Sequence, residues 1–201
     1  MKRVRTKSEE KRVLIVDAAV ALFLELGYDA VTMDKIAKHA GVSKQTVYSH
    51  YGSKEDLFTA AIGDKCISYD LDPESIAQLG NAEDALMTIA HRFVKMIYSE
   101  EGIKLHRTCI AQAETHPQLA KLFFEAGPVH TRSVIAELLA SFDSKGELSV
   151  EKPAIAAAQF LNIIQGEMSL RAPLLLEHLP AEAHKEYVNE SVKAFVRAYK
   201  G

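Results

Sequence analysis

Between Thr32 and Gly52 the chain allows no helix longer than eight residues, and this restriction governs what its first third can become. Thr32 precedes Met33-Asp34-Lys35-Ile36-Ala37-Lys38-His39-Ala40, and Gly41 follows. Ser43 precedes Lys44-Gln45-Thr46-Val47-Tyr48-Ser49-His50, and Gly52 lies just beyond. Threonine and serine favour the helix N-cap because their hydroxyl oxygens accept a free backbone N–H. Asp34 falls in a first turn, where the positive end of the helix dipole favours an acid. Glycine past a last turn accepts a left-handed backbone. Helices this short are marginal alone in water, so both must pack on something larger. Gly41 and Val42 alone separate the end of the first from the cap of the second. The pair therefore reads as a helix-turn-helix, with small Ala37 at the close crossing and Ile36, Ala40, Val42 and Val47 facing inward.

The neighbouring segments supply what the pair packs against. From Ser8 to Leu26, apolar residues recur at Ile15, Ala18, Ala19, Leu22, Phe23 and Leu26, which is helical spacing, and Gly27 ends the run. Ser53 caps a further helix that begins Lys54-Glu55-Asp56 and runs to about Tyr69. In such a unit the second short helix projects from the body and enters a DNA major groove. Its outward residues are Ser43, Lys44, Gln45, Thr46 and Ser49. Glutamine pairs with adenine edges, lysine with guanine acceptors, and threonine with the thymine methyl or a phosphate. Tyr48, His50 and Lys54 reach phosphates from the flanks. Thr32 and the N-terminus behind Ser53 present backbone N–H groups to the same anions. Lys2, Arg3, Arg5 and Lys7 form a basic arm along the backbone or in a minor groove.

Charge supports this assignment. Residues 1–54 hold 10 Lys/Arg and 6 Asp/Glu, while the rest of the chain holds 14 and 21, leaving a basic front on an acidic body. A polyanion is thus expected to meet the front.

Beyond residue 70 the pattern is helical throughout, without useful strand alternation. Asp70 to Gly80 reads as a linker. Helices are expected from Ala82, capped by Asn81, to about Ser99; from Ile103 to Thr115; and from Pro117 to about Ala126. A kink at Gly127-Pro128 precedes a run to Phe142, and a turn at residues 143–146 follows. The last two helices run from Pro153 to about Arg171 and from Pro180 to about Lys200. The fold class expected is all-α: an N-terminal three-helix helix-turn-helix DNA-binding domain and a C-terminal helical regulatory and dimerisation domain. The boundaries are a basic arm at 1–8, the DNA-binding domain at 9–69 with its linker helix 54–69, and the regulatory domain at 70–201.

The run Ala18-Ala19-x-x-Leu22-Phe23-x-x-x-Gly27-Tyr28-x-x-x-Thr32-Met33-x-x-Ile36-Ala37-x-x-Ala40-Gly41-Val42-Ser43-x-x-Thr46-Val47-Tyr48-x-x-Tyr51-x-Ser53-Lys54-x-x-Leu57 resembles the TetR family of regulators. Tyr51 stands where many members have phenylalanine. The resemblance implies phosphate contacts at Tyr48, His50 and Lys54 and groove contacts from Ser43 to Thr46. Less specifically, Glu114-x-x-x-Pro117-x-Leu119-Ala120-x-x-Phe123, Glu125-Ala126-Gly127-Pro128 and Ala157-Ala158-Gln159-Phe160-Leu161-x-x-Ile164-x-Gly166-Glu167 resemble the AefR-like C-terminal regions of that family. They imply a homodimer joined through the last two helices and an inducer pocket in each subunit.

Read from the residues, the last two helices carry apolar side chains enough for a four-helix interface: Ile155, Leu161, Ile164 and Gln165 on one, Val188, Val192, Phe195, Val196 and Tyr199 on the other. The same side chains would also serve a monomer core. A pocket lining is drawn from His91, Phe93, Met96, Arg107, Gln112, Phe123, Phe124, His130, Gln159, Asn162 and Met168, a mixture suited to an amphipathic small molecule. Core packing is the alternative for each. The histidines lack metal-ligand spacing, so no metal and no cofactor is expected beyond an effector of unknown identity. Cys66 and Cys109 read as reduced thiols, with a redox sensor as the alternative. No apolar run of about 18 residues is present and no signal-peptide core follows the basic N-terminus, so a cytoplasmic, nucleoid-associated protein without membrane contact is expected.

The function read from these features is a sequence-specific repressor that binds a near-palindromic double-stranded operator as a homodimer and is released by ligand. An activator or nucleoid-type binder would use the same reading domain. A helical enzyme and a protein-binding module are the remoter alternatives. No GxSxG, P-loop, strand-linked GxGxxG or HExxH motif supports catalysis.

Overall fold

The computed structural model describes residues 6–200, and among them every regular element is a helix. Lys2, Arg3 and Arg5 of the expected arm lie outside the described residues. Helix α1 (Lys7–Leu26) takes in Lys7 and Ser8, which the sequence had assigned to the arm. Its start is a capping box: the Glu9 N–H donates to the Thr6 hydroxyl, and the Thr6 N–H donates to the Glu9 carboxylate at 2.6 Å. Helix α2 (Met33–Ala40) and helix α3 (Lys44–His50) fall where their caps and glycines place them. Helix α4 spans Lys54–Ser68, with the Ser53 hydroxyl accepting from the Asp56 N–H at 3.0 Å.

Downstream, the expected linker contains a short helix α5 (Pro73–Ala77), started by the Asp72 carboxylate cap and by proline in the first turn. Helices α6 (Ala82–Ile97), α7 (Glu100–Ala111) and α8 (Pro117–Phe124) follow. A π-helical turn at Glu125–Val129 holds Gly127 and Pro128, and α9 (His130–Ser144) continues from it. The helix expected from Pro153 to Arg171 is divided into α10 (Pro153–Ile163) and a single-turn α11 (Met168–Arg171). Gly166 between them adopts φ +51°, and a Cβ there would lie 2.5 Å from the Tyr187 ring. The break frees carbonyls, which tyrosines take up: the Tyr187 hydroxyl donates to the Ile163 carbonyl at 2.8 Å, and that of Tyr98 to the Gln165 carbonyl at 3.2 Å. Helix α12 (Ala181–Tyr199) is the last.

The chain divides into two compact units that do not follow the sequence in order: residues 1–65 group with 107–126, and 66–106 with 127–201. The first unit is built on α1, whose Ile15, Ala18, Ala19, Leu22 and Phe23 are buried. Phe23, Tyr28 and Phe58 form an aromatic triad with centroids 5.4 Å apart. Residues 107–126 join this unit through buried Cys109 and Leu119 and through His116, whose Nε2 lies 3.1 Å from the Asp29 carboxylate. The core of the second unit is formed by α6, α9, α10 and α12, with Leu86, Ile89, Ile135, Leu139, Phe142 and Phe160 buried at its centre. Each such side chain contributes about 1.5–3 kcal/mol relative to exposure.

This core takes in most of the residues expected at the interface, as the alternative monomer-core reading has it. Leu161, Ile164, Val188, Val192 and Phe195 are buried within their own unit, because the Val188–Val192–Phe195 stripe of α12 packs on α6 and completes a monomer core. Val196 and Tyr199 pack against the same core, and Gln165 is half-buried with its amide donating to the Leu161 carbonyl at 2.7 Å. Of the expected interface, Ile155 is exposed. It is joined by exposed Ile163, Leu170, Leu174, Leu175, Leu176 and Tyr187, which the sequence reading did not select. No helix among the described residues is long and apolar enough to cross a membrane.

Candidate nucleic-acid interface

The turn between α2 and α3 is fixed by backbone. Gly41 adopts φ +67°, ψ +29°, a left-handed conformation that an L side chain rarely accepts. The Val42 N–H returns to the Ala37 carbonyl at 3.0 Å. Ala37 is buried at the crossing, and Ile36 and Val47 are wholly buried beneath it, so α3 is held by its inner face. Its outer face carries Gln45, Tyr48 and Ser49, at i, i+3 and i+4, all exposed. This row is one side of one helix, and it is free to meet a groove.

Several of the sequence-predicted hydroxyls have local work. Ser43 accepts from the Thr46 N–H at 3.1 Å and lies 2.8 Å from the Thr46 hydroxyl. The Ser49 hydroxyl donates to the Thr46 carbonyl, and Thr32 accepts from the Lys35 N–H. Thr46 is half-buried, so Gln45 is the least committed of the predicted base readers. His50 is half-buried and tilted against the Tyr51 ring, 6.3 Å away. Lys44 forms an ion pair with Asp34 at 2.8 Å, and its ammonium lies 5.8 Å from the Tyr48 ring centroid.

Lys54 is more deeply engaged than its predicted role requires. Its ammonium donates to the carbonyls of Tyr28 and Val31 at 3.0 and 3.2 Å and sits 4.0 Å above the Tyr28 ring. The Tyr28 hydroxyl donates to Glu55, the next residue of α4, at 2.9 Å. Burial, and then that carboxylate, push the Tyr28 hydroxyl pKa up. The first turn of α4 thus grips the α1–α2 turn from both ends of one tyrosine. A second brace joins α1 to the end of α3 and to α4: Arg12 donates to the Tyr51 hydroxyl and to Asp64, each at 3.2 Å. Sequence reasoning missed both braces, since the partners lie 23 to 52 residues apart and carry no local signature. Asp34 had a signal: it is the single carboxylate between Thr32 and Lys54, among four lysines.

The predicted pocket residues do not converge in one unit. Arg107, Gln112, Phe123 and Phe124 belong to the first, with Phe124 exposed and the Gln112 Oε1 atom buried without a partner. His91, Phe93, Met96, His130, Gln159, Asn162 and Met168 belong to the second. There, Phe93, Met96 and Met168 are buried, and His91 Nε2 lies 2.8 Å from Asn189 Oδ1. Gln159, Asn162 and His130 are exposed, with Gln159 accepting from the Tyr199 hydroxyl. Cys66 and Cys109 are both buried free thiols, and burial raises the Cys109 pKa to about 11. Burial raises that of Cys66 as well. Neither is a ready thiolate. No group of three or more metal-ligating side chains occurs among the described residues.

Residues 15–61 match the family model for bacterial regulatory proteins of the tetR family, and residues 84–201 match that for the C-terminal domain of AefR-like transcriptional repressors. The chain is similar to the HTH-type transcriptional regulator YdeS of Bacillus subtilis, at 29% identity over 154 residues and 75% of each chain. Among solved structures it is similar to a TetR-family transcriptional regulator from Mesorhizobium loti, at 29% identity and a TM-score of 0.77, covering 98% of this chain and 100% of that one. It is also similar to the flavonoid-responsive regulator FrrA, at 32% identity and a TM-score of 0.71, covering 94% and 97%.

Proposed function

This chain belongs to the TetR family of bacterial regulatory proteins, and from that premise we propose that it is a ligand-relieved repressor acting as a homodimer on a near-palindromic operator. The observation that carries the reading is the exposed row Gln45, Tyr48 and Ser49 on a helix whose opposite face is locked by Ala37 and Val47. Gln45 and Lys44 read base edges, with Ser43, Thr46 and Ser49 shaping the approach. Tyr48, His50 and the remaining hydrogen of the Lys54 ammonium contact phosphates, and the N-terminal end of α2 behind Thr32 adds backbone N–H groups.

A second copy covers the exposed apolar surface of the C-terminal region. Leu170, Leu174, Leu175 and Leu176 are 51–69% exposed, and Leu175 holds φ +54°, a strained position for leucine. Ile155, Ile163 and Tyr187 are exposed as well, and burying such apolar side chains against a second copy would stabilise the pair. Two recognition helices about 34 Å apart then meet successive major grooves. A ligand releases the operator only by binding one spacing of the pair better than the other. Flavonoids are the first effector class to test, on the strength of the FrrA likeness.

The test is selection of duplexes from a random-sequence library by the intact protein, repeated with Gln45→Ala. Enrichment of a two-fold-related sequence is expected. The variant should relax one position of each half-site by about 1–3 kcal/mol. Absence of any enriched sequence would overturn the reading.

A further inference from the structure

Within the segment 32–54, three of the four lysine ammoniums already have protein partners. Lys35 donates to the Ala30 carbonyl at 2.7 Å, Lys54 to two carbonyls, and Lys44 to Asp34. The first two partners are neutral. Asp34 is the only carboxylate in the segment, and it holds the lysine that opens the recognition helix. Both side chains are largely in solvent, 59% exposed for Lys44 and 62% for Asp34, so neither is held there by burial.

We propose that Asp34 is a specificity-determining residue of this reading head, a built-in competitor that occupies Lys44 until an operator base displaces it. The inference rests on the DNA-reading role proposed above. An ion pair this exposed is weak and screened by salt, so it yields to a better partner. A guanine edge offers two acceptors to a lysine, which repays the exchange. A duplex with no guanine in register offers Lys44 only phosphate, and there the Asp34 carboxylate competes for the ammonium as one anion against another. The pair therefore lowers affinity for bulk DNA more than for the operator. Discrimination is gained from a charge that touches no base.

The experiment compares Asp34→Asn with the unmodified protein on two duplexes across a salt series. One is the sequence enriched by the unmodified protein, the other a random-sequence duplex of equal length. Asp34→Asn should bind the random duplex about three- to tenfold more tightly, with the log–log salt slope steeper by about 0.9. Affinity for the enriched duplex should rise less, so the ratio between the two falls. In a Lys44→Gln background the gain from Asp34→Asn should shrink below about twofold. Equal affinities for variant and unmodified protein overturn the proposal. So does an undiminished gain in the Lys44→Gln background, which would make Asp34 a general repellent. Parallel weakening on both duplexes, with a lower melting midpoint, would reduce Asp34 to a helix-start acid and overturn it too. If the unmodified protein binds neither duplex, the DNA-reading role falls first and this inference with it.

Discussion

Lys54 braces the α1–α2 turn, and the DNA-reading role proposed for this unit would give the same side chain a second obligation. Two of its hydrogens are taken by the Tyr28 and Val31 carbonyls, leaving one for an external anion. Lys54→Met keeps most of the stem and removes the charge. The free protein should lose about 1.5–3 kcal/mol in urea denaturation, the range for a hydrogen bond that involves a charged group. The salt slope of DNA binding should fall by about one unit as the phosphate contact goes. A stability loss with an unchanged slope would confine Lys54 to bracing the α1–α2 turn. Sequence pattern singled out Lys54 as a phosphate contact but did not show what surrounds it. A lysine after a serine cap reads as a surface cation, and nothing in that spacing reports carbonyls 23 and 26 residues away.

At the scale of the element, capping chemistry was the most legible signal. Thr32, Ser43, Ser53 and Asn81 each mark a helix start, and each side-chain oxygen accepts the backbone N–H three residues on. The break between α10 and α11 was not legible. Its supports are Tyr98 and Tyr187, which arrive from distant helices, and a glycine inside an otherwise helical pattern is commonly tolerated. Near the same break, α12 places His184 with its ring 5.7 Å from that of Tyr98 and its Nε2 atom buried without a partner. Burial, then the nearby His178 and His91, lower its pKa from the ordinary 6.5. An unfolded chain takes up a proton at this ring below pH 6.5 that the folded chain resists. The contribution of His184 is therefore complete above that value and is lost as pH falls below it. The melting midpoint should drop on acidification, by no more than about 5 °C per pH unit from this group. His184→Phe preserves an aromatic neighbour for Tyr98 and should flatten the profile between pH 6.5 and 5. A profile unchanged by the substitution would remove His184 from the acid response.

For the whole molecule, the apolar stripe of α12 shows why sequence alone does not separate a dimer surface from a monomer core. Val188, Val192 and Phe195 have the spacing of an interface and of a core alike, and only the packing of α6 decides between them. Leu174, Leu175 and Leu176 lie beyond the helix expected to end at Arg171 and so drew no notice, yet with Leu170 they are exposed in the second unit. Leu174→Glu combined with Leu176→Glu should shift sedimentation toward monomer, weakening association at least about tenfold, while leaving helical content intact. A dimer of undiminished strength would place the partner elsewhere.

The interleaving of the two units bears on how such a protein can trade parts. His116 and Leu119 lie in the same compact unit as the reading helices, although they are encoded more than sixty residues later than His50. A single genetic crossover after residue 69 would pass on those helices without the residues that complete their fold. A graft that respects the fold needs two inserts, and a lineage that exchanged only the front would have to rebuild the pairing of His116 with Asp29.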